Sequence, residues 1–453
     1  MRIPEKPPSD QEVGKVLAEA QPQNKLKELR PYLDYINSNY LHWSDILVKF
    51  KDKNLTHHDL LILWGYTNLT RQVNTQFIKI SNMILRYVQT PHLEKELHDV
   101  DMLIGDKIEL EDQVPSPTLR KKYLVSSLME EAIASSQLEG AVTTKVIAKR
   151  MLLENRKPRD KSEQMISNNY ATMKYIKEHV NKESEPLTLE IIKELHKIIT
   201  KDTLEKKEYE GAFRMTDEVV VVSDDNKVLH TPPYYKEIEI LLQQVCNFVN
   251  SESSTYYYHP IVKAIMLHYM IGYVHPFHDG NGRTARALFY WYIMSQHYDY
   301  LEYIAISTAI KHDPAKYTLA YLYSESDHND ITYFVEFNLH AIRIATTLFK
   351  EYIEKTKKEN KKIIETIRFD NRLNLRQADV IISMSKTDKH ITIEEMQERY
   401  NVRYQTARTD LLELVELGYM HKLLIGRQFV FDLDKEKVLE ATNNFQSRRS
   451  IKF

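Results

Sequence analysis

Cysteine is nearly absent from this chain. Cys246 stands alone in 453 residues, so no intramolecular disulfide and no Cys-based zinc cluster can form. Glycine is scarce too, with 10 in all, while Leu, Glu, Lys and Ile are plentiful, which favours helix. An excess of either charge is missing. The formal net charge is -2, too weak a field to gather nucleic acid or an anionic membrane. No run reaches the roughly 18 apolar residues of a membrane helix, and the opening "MRIPEKPPSD" has no apolar signal core. The expectation is a mainly α, cytoplasmic protein with no membrane partner, long enough for two or three domains.

The helical patterning divides the chain. Residues 1 to about 30 carry Pro and Gln and read as loosely ordered. Helical spacing then runs to about 112, with Trp43 and Trp64 as core anchors, and "QVPSPTLRKK" marks a boundary. From 118 to about 350 helices follow one another: one ends at Gly140, another opens at Thr188. "DEVVVVSDDNKVLHTPP" breaks the rhythm. Val219 to Val222, a turn over Ser223 to Asn226, and Lys227 to His230 predict a short hairpin held against helices, where it could touch a ligand. Residues 351–376 read as a charged linker helix. Beyond them come a helix, a turn at Asn401-Val402, a second helix to Leu417 stopped by Gly418, and two strands turning at Gly426, the outline of a winged helix-turn-helix. The expected division is 1–115, 116–350, 351–376 and 377–453.

The chemistry concentrates in "HPFHDGNGRTAR", residues 275–286, between two apolar helical patterns. Gly280-Asn281-Gly282 can take positive φ and turn backbone N–H groups into one concavity, and the helix that follows adds its free N–H groups and dipole, a cradle for phosphate. Arg283 and Arg286, three apart, share a helix face and can neutralise a polyphosphate. Asp279 offers a hard oxygen to Mg²⁺. His275, at the loop entrance, can take a proton from a hydroxyl. A bare "DGNG" would be an ordinary polar turn satisfying its own backbone; the whole set describes nucleotide binding with transfer onto an alcohol.

These residues resemble the HPFx(D/E)GNGRxxR signature of the Fic family at every fixed position. "YEGAFR", residues 209–214, is similar to the segment leading into that family's flap, and "YYYHPIVKAIMLHYMIGYV" to the helix before the signature. The resemblance implies a helical bundle with a hairpin flap over roughly 118–350. It also implies AMPylation, in which AMP passes from ATP-Mg²⁺ to a Ser, Thr or Tyr hydroxyl of a target protein. It makes His275 the base, Asp279 the Mg²⁺ ligand and Gly280, Asn281 and Gly282 the anion hole at the α-phosphate. Arg283 would hold the outer phosphates and Arg286 the γ-phosphate. Phe277 packs, and His278 occupies a variable position.

"SSQLEG", residues 135–140, resembles the family's inhibitory motif (S/T)xxxE(G/N), with Ser135 and Glu139 on one face of a helix expected over 124–140. Without that context Glu139 would be an exposed residue ahead of a glycine cap. By resemblance it pairs with Arg286, takes the γ-phosphate position and acts as a brake within the same chain. The i, i+4 placement opposite Arg286 adds the expectation that release, through dimer rearrangement or target docking, switches the enzyme on. In some relatives this glutamate also helps to remove AMP. "KHDPAKYTLAY" departs from the family's adenine-pocket pattern but keeps Tyr317, which leaves another nucleotide open. In residues 391–453 ten Asp/Glu balance ten Lys/Arg. Arg403, Gln405 and Arg408 could reach base edges, yet a protein-docking or structural role is favoured over DNA. Two functions remain: a self-inhibited protein AMPylase, and a DNA-binding regulator with a Fic core as nucleotide sensor. The intact His275 favours the first.

Overall fold

In a computed structural model, the described residues are 3–19, 22–104, 117–180, 186–223, 225–251, 256–368, 370, 372–385, 390–425, 428–438 and 440. They group into two compact units. The first comprises the described residues within Met1–Lys107 and Ser127–Thr346, the second those within Ile108–Ser126 and Thr347–Phe453.

The first unit opens with helices α1 (Asp10–Glu19), α2 (Pro22–Ser38), α3 (Trp43–Lys49) and α4 (His57–Val73). The expectation of loose order before residue 30 is wrong. Val13 and Val16 on α1 and Leu29 and Ile36 on α2 bury themselves with Trp43 and Trp64. The backbone of Gly65 lets α1 come close: a Cβ there would lie 2.8 Å from Val13 Cγ1. Packing of an apolar stripe outweighs the local Pro and Gln content.

The expectation of helix through to 112 fails as well. Strands β1 (Thr75–Ile80) and β2 (Met83–Val88) form an antiparallel hairpin, joined through Ser81 and Asn82 with Ile80 opposite Met83. Gln76, Ile78 and Ile80 alternate inward while Phe77 and Lys79 face out, a period of two that the preceding helical pattern masks. Helix α5 (Pro91–Ile104) follows.

This region is bonded into the rest of its unit. Arg71 Nη1 donates to Tyr333 Oη at 2.7 Å and its guanidinium lies 3.8 Å over the Tyr40 ring. Tyr40 Oη donates to Asp330 Oδ2, and Tyr333 Oη to Asp327 Oδ2. The amide of Ile331 donates to Arg86 O, and that of Val88 to Thr332 Oγ1.

The helical bundle comprises α6 (Pro117–Leu138), α7 (Lys145–Leu153), α8 (Lys161–Val180) and α9 (Leu189–Thr200). Strands β3 (Val221–Val222) and β4 (Val228–His230) then form the expected hairpin, shorter than its β-branched run, with a bulge at Val221/Val222. After it come α10 (Ile238–Asn250), α11 (Pro260–Val274), α12 (Asn281–Ser295), α13 (Ile306–His312), α14 (Pro314–Ser326) and α15 (Thr332–Arg368). Thr188 caps α9 from its side chain, as its position predicts. Helices α11 and α12 are buried on nearly every face and form the centre of the bundle. The expected linker helix is no separate element; residues up to Arg368 continue α15.

In the second unit α16 (Leu375–Ser385), β5 (Ile391–Thr392), α17 (Ile393–Tyr400), α18 (Tyr404–Glu416), β6 (Met420–Ile425) and β7 (Gln428–Leu433) make a winged helix with strand order β5-β7-β6. Thr392 and Glu395 form a capping box on α17, and Asn401 at φ 47° ends it. Ala407, Leu411 and Leu414 of α18 face the core with Phe431. The expected wing turn at Gly426 and residues 113–116 of the expected boundary lie outside the described residues. Among the described residues no helix is long and apolar enough to cross a membrane.

Candidate active site

Helix α11 ends where the motif begins. His275 caps it in the left-handed region at φ 47°, ψ 57°, which turns the chain out of the helix. Its Nδ1 lies 3.3 Å from Gly272 O. A carbonyl only accepts, so Nδ1 carries the proton and Nε2 keeps a free lone pair. Burial lowers the ring's pKa to about 4, so it is neutral near pH 7.

Only Gly280 of the three residues Gly280-Asn281-Gly282 has positive φ, at 84°; Asn281 and Gly282 are already the first residues of α12. The anion-attracting element is therefore a single left-handed turn feeding a helix N-terminus, not a run of left-handed residues. The Asn281 side chain is committed to the loop: its Oδ1 accepts from Phe277 N at 2.9 Å and its Nδ2 donates to Phe277 O at 2.8 Å. Only its backbone amide is left to face an anion.

The two arginines differ. Arg283 is 1% exposed, lies 3.4 Å from Asp279 Oδ1, and leaves Nε without a partner among the described residues. A buried guanidinium N–H of this kind calls for an acceptor. Arg286 is held by α6: Nε donates to Ser135 Oγ at 2.8 Å, Nη2 to Ser135 O at 3.0 Å and to Glu139 Oε1 at 2.9 Å. The pairing expected with Glu139 is thus present through one oxygen and one nitrogen, with Ser135 accepting from Nε and Nη2 beside it. Glu139 stands one residue past the end of α6, where Gly140 at φ 89° stops the helix. Its carboxylate reaches the N-terminal turn of α12, the place the helix dipole offers to an anion.

Asp279 is half exposed, and its described bonds, to Gly280 N and Arg283, both use Oδ1. Among the described residues no cluster of three His, Cys, Asp or Glu could cage a metal. A lone outward carboxylate beside a phosphate cradle fits Mg²⁺, which takes few protein ligands and completes its shell with phosphate and water.

A cavity of about 200 Å³ brings some of these residues together, while Asp279, Gly280, Asn281, Arg283 and Arg286 do not line it. Glu139, Gly282, His275 and Tyr317 line it, and Val221, Leu229 and His230 of the hairpin close one side. The hairpin therefore sits where its sequence suggested, against the site. Tyr317 Oη lies 2.8 Å from His268 Nε2. A larger cavity of about 740 Å³, between the β1–β2 hairpin and α10, contains none of the motif residues and shares only Tyr273 with the smaller one. Chemistry, not volume, singles out the smaller.

Of the residues that hold the motif from outside it, sequence reasoning missed His196 and matched Arg214 to the segment before the flap without giving it a role. His196 on α9 accepts from Gly211 N through Nδ1 and so donates to Asp279 O through Nε2, both at 2.9 Å, with its ring stacked on Phe277 at 3.6 Å. Arg214 donates to His275 O through Nε, while its amide donates to Pro276 O. A histidine within the otherwise apolar stripe Ile192, Leu195, Ile199 was the available signal.

Residues 186–293 match the Fic/DOC family model, and residues 376–430 match that of the DeoR-like helix-turn-helix domain. The chain carries a Fic domain followed by a DeoR-like helix-turn-helix domain. Curated relatives named protein adenylyltransferase Fic include one from Aedes aegypti, 29% identical over 37% of this chain and 32% of its own length. Another, from Drosophila grimshawi, is 35% identical over 33% of this chain and 28% of its own. The chain thus matches about a third of the length of these relatives. A Fic family protein from Desulfovibrio desulfuricans has the same fold, with a TM-score of 0.51 and 18% identity over 77% of this chain and 97% of that one. So has Fic-1 from C. elegans, at 0.50 and 18% over 76% and 92%.

Proposed function

We propose that this protein is a self-inhibited protein adenylyltransferase, which moves AMP from ATP to a hydroxyl of a target protein or of itself. The observation that carries this reading is the convergence, around one cavity, of a neutral histidine with a free Nε2, a helix N-terminus and a buried arginine occupied by a carboxylate of the same chain. The curated relatives named adenylyltransferases support it.

In this reading Glu139 leaves Arg286, whose N–H groups then receive the γ-phosphate, while the start of α12 and Arg283 receive the other phosphates. The hydroxyl oxygen attacks the α-phosphorus, its proton passes to His275 Nε2, and the bond to the leaving pyrophosphate breaks. Asp279 would hold Mg²⁺, which would supply charge neutralisation. The hairpin's Val221 and Leu229 stand beside the cavity, so an extended target segment can add to that edge and present its hydroxyl. Tyr317 closes the nucleotide's side of the cavity.

The experiment is intact-protein mass spectrometry after incubation with ATP and Mg²⁺. Mass increase by AMP in Glu139→Gly, little in wild type and none in Glu139→Gly with His275→Ala is the expected result. Equal labelling with and without His275 overturns the assignment of the base.

The DeoR-like match and the exposed Arg403, Gln405 and Arg408 on α18 support a second reading, with DNA as a further partner. Duplex binding that disappears in Arg403→Ala with Arg408→Ala, while AMP transfer persists, would establish it.

A further inference from the structure

Helices α6 and α12 pack antiparallel in a four-residue register. Glu131 meets Tyr290, Ser135 meets Arg286, and Glu139 meets Gly282, one helical turn apart on each side. The last two contacts belong to the motifs. The first lies outside both, and nothing in the transfer chemistry needs it.

Glu131 is 3% exposed, and all its described contacts are specific. Tyr290 Oη lies 2.8 Å from its Oε2, Ser307 N donates to the same oxygen at 2.9 Å, and Ser307 Oγ donates to Oε1. Around it α6 buries the small Ala132, Ala134, Ser135 and Ser136 beside the larger Leu128, Met129 and Ile133. Apolar contact alone sets no direction, whereas hydrogen bonds to one buried carboxylate are directional and narrow the positions the helix can take.

We infer that Glu131 is a positioning residue for the brake: held by Tyr290 of α12 and Ser307 of α13, it fixes where α6 sits against these two helices and thereby seats Glu139 on Arg286. The inference rests on the reading of Glu139 as the brake. It makes release a local event, in which the turn carrying Glu139 moves while the helix stays pinned two turns away.

The test uses the full chain with Glu131→Gln and, as a milder change, Tyr290→Phe, each alone and combined with Glu139→Gly. Amide hydrogen exchange is read over residues 136–141, and self-labelling is read with α-³²P ATP and Mg²⁺. The expected result is faster exchange at 136–141 in both variants, with unchanged exchange in the winged helix. Labelling should rise about fivefold over wild type, a shift in the brake equilibrium of the size one good buried hydrogen bond sets, with no further rise on the Glu139→Gly background. Unchanged exchange in both variants overturns the inference. So does labelling that falls equally in both backgrounds, the mark of a residue that only stabilises the fold. If Glu139→Gly itself fails to label, the brake reading falls, and exchange at 136–141 still decides whether Glu131 seats that turn.

Discussion

Gly282 and Glu139 occupy each other's space: a Cβ built on Gly282 would lie 2.2 Å from Glu139 Oε1 and 3.2 Å from Arg286 Nη1. The missing side chain is what lets a carboxylate enter the first turn of α12. In the proposed reaction a phosphate uses the same opening.

Gly282→Ala therefore separates folding from chemistry. The displaced atom is the tip of a flexible side chain, so the melting temperature should change little. Transfer should nevertheless stay low even on the Glu139→Gly background, because the methyl group fills the phosphate's place. AMP incorporation equal to that of Glu139→Gly alone would refute a shared site.

Ser135→Ala removes the acceptor of Arg286 Nε from a buried contact of 2.8 Å. An unpaired charged donor costs about 1–3 kcal/mol. Denaturant titration should report a loss of that size. AMP incorporation should rise above wild type but stay below Glu139→Gly, since Ser135 O still holds Nη2.

His196→Ala should lower transfer with no contact to substrate. The substitution frees Asp279 O and Gly211 N at once and empties the space stacked on Phe277. A drop of about tenfold or more in the rate on the Glu139→Gly background is expected, in line with the sensitivity of catalysis to misplacement of the reacting groups. A stability loss of about 2–4 kcal/mol should accompany it, because a large buried side chain is lost together with two bonds.

The pH dependence has a definite sign. Burial holds His275 near 4, so the base stays unprotonated well below its ordinary 6.5, and the transfer rate should be flat from pH 8 to 6. Stability behaves otherwise. His42 and His268, both lowered to about 3 by burial, remain neutral in the folded chain, while the unfolded chain binds protons below about 6.5. Stability is thus lost as pH falls from 6.5 toward 4, by at most about 1.4 kcal/mol per histidine per pH unit. Melting temperatures across pH 5 to 8 check this, and a rise on acidification would contradict it.

The site was legible where its chemistry lies in consecutive residues. His275 to Arg286 form one loop and one helix start, so their order in sequence is nearly their order in space. Glu139 was readable only through the likeness of "SSQLEG" to a known motif, since its spacing from Ser135 says no more than that the two share a helix face. His196 and Glu131 were not, because each acts on residues far along the chain and no local spacing marks it. In the fold, the β1–β2 hairpin escaped because its two-residue period follows a long helix without a break, and α1 because its three-turn stripe needs Gly65 opposite it before it can pack.

The network joining Arg71, Tyr40 and Tyr333 to Asp327 and Asp330 has a practical consequence for anyone trimming the chain. The family match begins at residue 186, and a fragment started there would look like a natural unit. It would keep two neighbouring carboxylates and discard the Arg71 and Arg86 cations facing Asp327 together with the Tyr40 hydroxyl on Asp330, leaving like charges on a newly bared apolar face. The piece that can be expressed and handled is therefore set by who neutralises Asp327, not by where the sequence likeness stops.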